Sequence, residues 1–497
     1  MSRQDQIINE RKRKLQELRK ITNPYPHKFN QKDFSRDIKQ KHEKLNLNQK
    51  SKSKAQIAGR VMTIRNLGKL IFTTIQDSEG KIQLILQKSH TSDKDFELFK
   101  KYIDIGDFIG ATGTVMKTKT GEVSILIKNL QILSKSLLPL PEKWHGIQDK
   151  EERYRKRYLD LIMNPNVKKV FEKRQIIINT IRNFLNNQDF TEVETPTLQS
   201  IYGGASAKPF KTHLNALNID LYLSISPELY LKRLIVGGMD RVYTICKNFR
   251  NEGIDAFHNP EFTMMEYYIS YKDFEYHIEL TEKLFKELKK NLNLKDTIEY
   301  QGKKINLKTP FKRIKFKDLI KKQTNIDVDK TDNFEKLKSE IQKKNLKDID
   351  IKGCKHYGAL LDEIYKRVIR PSIIQPTFLT HYPVEMIALA KRNELDSRYI
   401  NSVQLLINGA EIIKAYDEVN DPEDQENRLK EQEQLLRGGS EEAMPMDEDF
   451  ITALKIGMPP TAGYGLGIDR LTMILTNHPS IRDVLLFPFM RPEEKKK

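Results

Sequence analysis

Two short alternating runs around a Gly/Asn/Pro loop constrain this chain more than any other stretch: Val242–Arg250 and Phe262–Tyr268. Alternation with period two predicts two β-strands. Gly253, Asn259 and Pro260 predict the loop between them. In that register Val242, Thr244, Cys246, Asn248 and Arg250 share one face of the first strand, and Phe262, Met264, Glu266 and Tyr268 share one face of the second. A guanidinium (Arg250), two carboxylates (Glu252, Glu266), an imidazole (His258) and an aromatic ring (Phe262) then converge across the hairpin. Such a set can hold a nucleotide and a cation. The charged face of a hairpin is just as often solvated, and spacing alone leaves both readings open.

At 497 residues the chain has room for two or three domains. Its 86 Lys+Arg against 68 Asp+Glu leave a net charge of +18, a sign that suits a polyanionic partner. The positive charge is spread along the whole length, so it does not by itself mark a nucleic-acid face. Cys246 and Cys354 are far apart and form no CxxC pair, which argues against a disulfide framework or a Cys-based zinc site and fits a reducing compartment. No apolar run of about 18 residues predicts a membrane span. The N-terminal segment has no apolar signal core, so a cytoplasmic protein is expected.

Ile7, Ile8, Leu15 and Leu18 recur at helical spacing over residues 4–20, with Arg11, Lys12, Arg13 and Lys14 between them. That basic helix either touches RNA phosphates or packs with its charges in water. Residues 46–54 read as a polar linker, completing an N-terminal region over 1–54. From 55 to 135 the texture becomes β: Ile57–Ile64, Lys69–Ile75, Lys81–Leu86, Phe108–Val115 and Glu122–Leu133, with turn signals between them and a helix at Asp95–Tyr102. Five strands and one helix predict a small barrel of the OB type, a fold that binds single-stranded nucleic acid by stacking and basic groups. Arg65, Phe72 and Gln83 are the side chains expected on that face. Residues 136–160 read as a hinge and charged helical connector, including Trp144–Arg157, and 161–497 as one large domain.

In that domain Val167–Asn186 is expected to be a helix, Phe190–Pro196 a strand, and Pro227–Leu234 a helix with Pro227 in its first turn and Ser226 as its cap. Helices are also expected at Asp273–Leu292, Asp332–Lys344, Tyr357–Val368 and Glu423–Arg437, with a weakly patterned Lys-rich insert between the first two. Asn408-Gly409 predicts a two-residue hairpin turn between Ser402–Ile407 and Ala410–Glu418, a register that pairs Gln404 with Ile413. Gly463-Tyr464-Gly465-Leu466-Gly467-Ile468-Asp469-Arg470 runs into an apolar helix, and its G-x-G-x-G spacing is neither the dinucleotide fingerprint nor a P-loop.

These segments carry a resemblance. Phe249-Arg250-Asn251-Glu252-Gly253 with His258-Asn259-Pro260-Glu261-Phe262-Thr263-Met264-Met265-Glu266 resembles motif 2 of the class II aminoacyl-tRNA synthetases. Residues 190–196 (FTEVETP) resemble motif 1 and residues 463–470 (GYGLGIDR) resemble motif 3. GGASAKPF at 203–210 and SPELYLK at 226–232 narrow the likeness to class II lysyl-tRNA synthetases, over nearly the whole chain. The resemblance implies an α+β fold: an antiparallel sheet with flanking helices, preceded by an all-β OB-type anticodon-binding barrel. It implies a homodimer with motif 1 at the interface.

The implied reaction joins L-lysine to ATP as lysyl-adenylate and then passes lysine to the 3′ end of lysine tRNA. By the same resemblance Arg250 lies between the substrate carboxylate and the α-phosphate, and Arg470 holds the ATP tail. Phe262 stacks on adenine with Arg470 on the other face, Glu252 and Asn259 hydrogen-bond the nucleotide, and His258 approaches the outer phosphates. Glu266 and Glu418, with Tyr268 beside them, meet the ε-ammonium; Glu228 and the Gly204 carbonyl hold the α-ammonium.

The chain departs from the family pattern in one hairpin. Where two glutamates commonly bind Mg²⁺ it has Gln404 and Glu411, and Lys414 stands where an asparagine is usual. Met386 and Ala388 also leave a local Ser/Pro pattern. A glutamine carbonyl can ligate Mg²⁺ but removes one negative charge. Two other functions compete with charging of tRNA: a related lysine ligase acting on a protein acceptor, and an RNA-binding regulator with a decayed site. The N-terminal barrel argues against the first, and Arg250, Glu252, Glu266, Glu418 and Arg470 argue against the second.

Overall fold

The computed structural model describes residues 2–141, 149–354 and 356–493. It divides into two compact units, Met1–Ile147 and Gln148–Lys497. Among the described residues no helix is long and apolar enough to cross a membrane.

The first unit is built on five strands: β1 (Lys50–Asn66), β2 (Leu70–Gln76), β3 (Lys81–Gln87), β4 (Phe108–Lys117) and β5 (Val123–Ser134). They close into a barrel in the order β1-β2-β3-β5-β4, with a helix at Asp93–Tyr102 between β3 and β4. Inward-facing Ile57, Val61, Ile75, Leu84, Ile109 and Ile125 fill it, as period-two alternation requires. β1 starts at Lys50, inside the stretch expected to be a linker, and Lys50 pairs with Met116. The alternation of exposed lysine with half-buried serine there suits a strand with one wet face. A short helix at Ser35–His42 was not foreseen, because eight mostly polar residues carry little periodic signal.

The N-terminal helix runs Arg3–Ile21 and begins in a reciprocal cap between Ser2 and Asp5. Arg11, Arg13 and Lys14 of this helix are engaged within the unit. Arg11 is buried and donates to the carbonyls of Ile105 (2.8 Å) and Leu138 (2.9 Å), and Lys14 pairs with Asp104 at 2.7 Å.

The second unit carries eight more strands in one sheet: β6 (Thr191–Glu192), β7 (Arg241–Phe249), β8 (Glu261–Ser270), β9 (Lys312–Lys315), β10 (Thr377–Thr380), β11 (Ser402–Ile407), β12 (Ala410–Asp417) and β13 (Thr461–Gly467). The order is β9-β10-β11-β12-β13-β8-β7-β6, antiparallel through the centre and parallel only at the two edges. Helices Pro165–Asn186, Phe274–Asn291 and Ile468–Thr476 pack on one face through Ile177, Ile181, Phe285, Leu288 and Leu471. The other face stays open in its middle, and there the site lies.

Several boundaries differ from expectation. Phe190–Pro196 contributes only the two-residue β6, which pairs with Val242 and Tyr243 and leaves the sheet before Pro196. The Lys-rich insert holds a two-stranded sheet (Thr297–Tyr300 with Lys303–Asn306), β9 and a helix at Phe316–Thr324. The helix expected over Tyr357–Val368 is α-helical to Ile364 and then widens into a π-turn over Tyr365–Ile369. Part of the expected connector, including Trp144, lies outside the described residues; the part described forms helices Lys150–Arg155 and Arg157–Met163.

Candidate active site

One row of cross-strand partners crosses five strands: Gln404, Lys414, Gly465, Glu266 and Thr244. Side chains of this face line a cavity of about 530 Å³. The G-x-G-x-G run explains its depth. On β13 Gly463, Gly465 and Gly467 fall on alternate residues and all face the cavity, so backbone forms the floor. A Cβ on Gly463 would overlap the Glu418 carboxylate and sit 2.5 Å from the Tyr268 ring.

The hairpin Arg241–Ser270 has the register that alternation predicts. Asn248 faces Phe262, Cys246 faces Met264, Thr244 faces Glu266 and Val242 faces Tyr268. The β11–β12 hairpin does not. It turns at Asn408-Gly409 as expected, but a bulge between Leu405 and Leu406 shifts the ladder, so Gln404 faces Lys414 rather than Ile413. Ile412 and Ile413 both enter the core opposite, while Glu411 and Lys414 remain on the cavity wall with Gln404.

One end of the cavity is acidic. Buried Glu228, Glu266 and Tyr268 line it with Gly204, and the buried carboxylate of Glu418 stands beside Gly463 of the lining. Gly204 has φ +82°, and a Cβ on it would lie 2.8 Å from that of Glu228, so only glycine lets this loop lie against the helix Glu228–Val236. That helix starts at Glu228 with Pro227 at its cap; Ser226 Oγ accepts from the Glu228 N–H (3.2 Å) and donates to Glu266 (3.1 Å). Lys232, one turn on and fully buried, touches Glu228 Oε1 at 2.6 Å and also Glu418. Tyr416 donates to Glu228 Oε2 at 2.8 Å.

Burial opposes the charge on Lys232, but Glu228 and Glu418 outweigh it and hold its pKa above the ordinary lysine value. Burial also pushes the Glu418 carboxyl well above its usual range while Lys232 pulls it back. With Nζ against both carboxylates, the charged arrangement is the one the geometry favours. Glu266 has no cation in contact. Burial, reinforced by Glu228, pushes its pKa up to about 8.

The other end is basic. Arg250 is half-buried, its guanidinium 5.1 Å from the Phe262 ring centre and its Nε without a partner among the described residues. Arg470 Nη1 donates to the Glu411 carbonyl (3.3 Å), and Nη2 donates to His258 Nε2 (3.0 Å). His258 Nδ1 lies 2.8 Å from Asp255, so the two bonds together define the Nδ1–H tautomer. Asn259 is buried and donates to the Glu261 carbonyl at 2.6 Å, and Glu252 is exposed at the rim. The arginine against Phe262 is Arg250, whereas Arg470 is tied to His258.

At position 404 the side-chain oxygen accepts from Tyr382 (2.9 Å) and from Tyr365, the first residue of the π-turn. Both its lone pairs are thereby engaged, and no metal finds an acceptor there. Among the described residues Glu411 is the one carboxylate of this hairpin that lines the cavity, so a site with carboxylates at both positions 404 and 411 does not fit this chain. Among the described residues no group of three His, Cys, Asp or Glu side chains is arranged around a metal position.

A model of class II tRNA synthetases (D, K and N) matches residues 149–491, and one of OB-fold nucleic acid binding domains matches residues 55–133. A protein of Pelotomaculum thermopropionicum named Lysine--tRNA ligase is 45% identical over 99% of this chain and 96% of its own length. Proteins of the same name from Thermoanaerobacter pseudethanolicus and Thermotoga maritima are 46% and 44% identical, each over 98% of this chain and over 97% and 96% of their own lengths. The chain belongs to the lysine–tRNA ligase family of class II tRNA synthetases.

In this synthetase the barrel carries Arg65 and Phe72 as direct cross-strand partners, Arg65 exposed and Phe72 half-buried. Gln83 lies diagonal to Phe72 on the same face and is fixed by Ser124 Oγ (3.0 Å) and Glu122 (3.2 Å). Sequence reasoning missed Lys232, Tyr416 and Asp255. Lys232 had a readable signal: Glu228 and Lys232 stand one helical turn apart on a helix otherwise rich in Leu and Ile. Asp255 sits in an irregular loop and Tyr416 in a buried strand, where no spacing rule marks them.

Proposed function

We propose that the chain activates L-lysine with ATP and transfers it to the 3′ end of lysine tRNA. The observation that carries this reading is a single cavity lined by the buried carboxylates of Glu228 and Glu266 at one end, with Glu418 behind them on Lys232, and by Arg250, Arg370 and Arg470 at the other. A doubly cationic amino acid whose carboxylate meets a triphosphate has that charge pattern. Glu266 and Glu418 take the ε-ammonium beside Tyr268, and Glu228 with the Gly204 carbonyl takes the α-ammonium. Lys232 keeps Glu228 and Glu418 in place and partly neutralised until the ligand arrives.

The lysine carboxylate attacks the α-phosphorus, the bond to pyrophosphate breaks, and lysyl-adenylate forms. The nucleophile is already ionised at neutral pH, so the step needs no general base. It needs alignment and stabilisation of negative charge, which Arg250 supplies at the α-phosphate and Arg470 at the tail. Glu252 and Asn259 bond the nucleotide, Phe262 stacks on adenine, and His258, oriented by Asp255, meets the outer phosphates. The terminal ribose hydroxyl of tRNA then attacks the lysyl carbonyl carbon and AMP leaves. Glu411 is the residue that would hold a Mg²⁺ ion entering with ATP, and such an ion would neutralise phosphate charge.

Arg65, Phe72 and Gln83 form the anticodon face of the barrel. The protein works in the cytoplasm as a homodimer through the segment around residues 190–196; the exposed Leu198, Ile201 and Ile219 beside it support a covered surface. The deciding experiment is ATP–pyrophosphate exchange with each amino acid in turn, followed by charging of lysine tRNA. Exchange restricted to lysine and successful charging are expected; exchange without charging would favour a protein acceptor. Phe72→Ala should weaken charging roughly tenfold through lost stacking and leave exchange unchanged; equal loss of both would remove the anticodon role.

A further inference from the structure

Lys414 is the cation of this cavity that the family reaction does not explain. Its neighbours are defined on every side. Gln404 faces it on β11, Gly465 faces it on β13, Tyr416 is two residues along its own strand, and Glu411 lies beyond the bulge. Among the described residues its ammonium has no ion-pair or hydrogen-bond partner, although the side chain is half-buried. The other lysine of the lining, Lys366, is paired with Asp362 at 2.6 Å. Because Gly465 has no side chain, the space between Lys414 and Glu266 is open, and Lys414 faces the middle of the cavity, between the acidic and basic ends.

Gln404 bears on the same point. Its oxygen is taken by two buried phenols, which leaves only its amide N–H donors for the cavity. Donors attract anionic oxygens and repel metal ions. Relative to a site with glutamates at both positions and a neutral residue at 414, this wall has lost one negative charge and gained one positive charge. The change of two units equals the charge of one divalent cation.

We infer that Lys414, with the amide of Gln404, contacts the phosphate oxygens of the nucleotide and replaces one metal ion at this wall. The inference rests on the reading of the cavity as an ATP–lysine site. A lysine serves this purpose as a point charge, without the coordination geometry a metal demands. The site then holds phosphate with Lys414, Arg250 and Arg470, and fewer divalent ions accompany ATP.

Two measurements on the full-length protein test this with an ATP analogue that cannot release pyrophosphate. Titration of Mn²⁺ by electron paramagnetic resonance in the presence of the analogue and lysine counts ions per site. The double variant Gln404→Glu/Lys414→Asn should bind one ion more than the wild type; equal counts would overturn the inference. Calorimetric binding of the analogue in EDTA should weaken roughly tenfold in Lys414→Met, the scale of one charged hydrogen bond, and be retained in Lys414→Arg. Unchanged binding by a folded Lys414→Met would also overturn it. Wild-type exchange with lysine separates the two failures: if exchange holds while these results fail, only the role of Lys414 falls. If no amino acid supports exchange, the reading of the site falls with it.

Discussion

Each unit of this protein buries one lysine against two carboxylates, and the two clusters are built to opposite ends. In the barrel unit, Lys135 touches Asp104 and Asp107, the latter at 2.7 Å, and also donates to the Tyr102 carbonyl at 2.6 Å. Asp107 accepts backbone N–H groups from Asp104 (2.8 Å) and Ser136 (2.7 Å), and Lys14 completes Asp104. Every strong acceptor has a donor, so the cluster is a closed knot. In the catalytic unit Lys232 touches Glu228 and one oxygen of Glu418, but Glu418 Oε1 has no partner among the described residues, and Glu266 beside it has no cation. Identical ingredients give a fastening in one place and a receptor in the other. The difference lies in the lone pairs left over and in the glycines that leave room to reach them.

Three experiments can break or sharpen that contrast. The largest effect is expected for Lys135→Met, which leaves the buried Asp107 carboxylate without its cation beside Asp104 and should cost about 3–5 kcal/mol of stability in denaturant unfolding, with no recovery on adding lysine. Lys232→Met should lose roughly 10²-fold in lysine-dependent exchange, measured as kcat/KM. Its loss of thermal stability should be smaller and partly restored by saturating L-lysine, because free ligand supplies the missing ammonium. Rescue of both variants, or of neither, would erase the distinction.

The smallest effect concerns pH. The folded-state pKa of Glu266, about 8, lies above its ordinary value of 4.5, so the folded protein retains a proton that the unfolded chain releases. The stabilising contribution of this group is therefore complete below about 4.5 and is lost as pH rises through about 8. Binding of the lysine ammonium favours the ionised form, so lysine should bind more tightly between pH 6.5 and 8.5, by roughly severalfold. Calorimetry in buffers of different ionisation enthalpy should show proton release near pH 7 that Glu266→Gln abolishes.

The parts of this fold that could be read from sequence are those governed by a repeating backbone rule. Alternation placed Arg250, Glu266 and Phe262 on one hairpin face and assigned the barrel strands. The Asn-Gly turn was correct, yet the register of Gln404 was off by one, because a bulge at Ile412 depends on packing across the sheet and leaves no local mark. Gly463, Gly465 and Gly467 were legible as a pattern but not as a floor, since their purpose lies in what stands beside them. Lys232 was legible as a partner of Glu228 one turn away but not as a buried one, because a Glu–Lys pair at that spacing is usually a surface feature. Its meaning depends on Glu418, which comes 186 residues later in the chain.

A floor of backbone has one more consequence. Side chains yield to a ligand by changing rotamer, but the spacing of hydrogen-bonded strands does not. Glu266 and Lys414 stand on either side of β13, so their Cα atoms are held about 10 Å apart by two strand spacings. The cavity is thus a gauge of fixed length, with an acid at one mark and a base at the other. With its ammonium on Glu266, an amino acid one methylene shorter than lysine brings its carboxylate short of a phosphate held at Lys414, and loses roughly 1–3 kcal/mol.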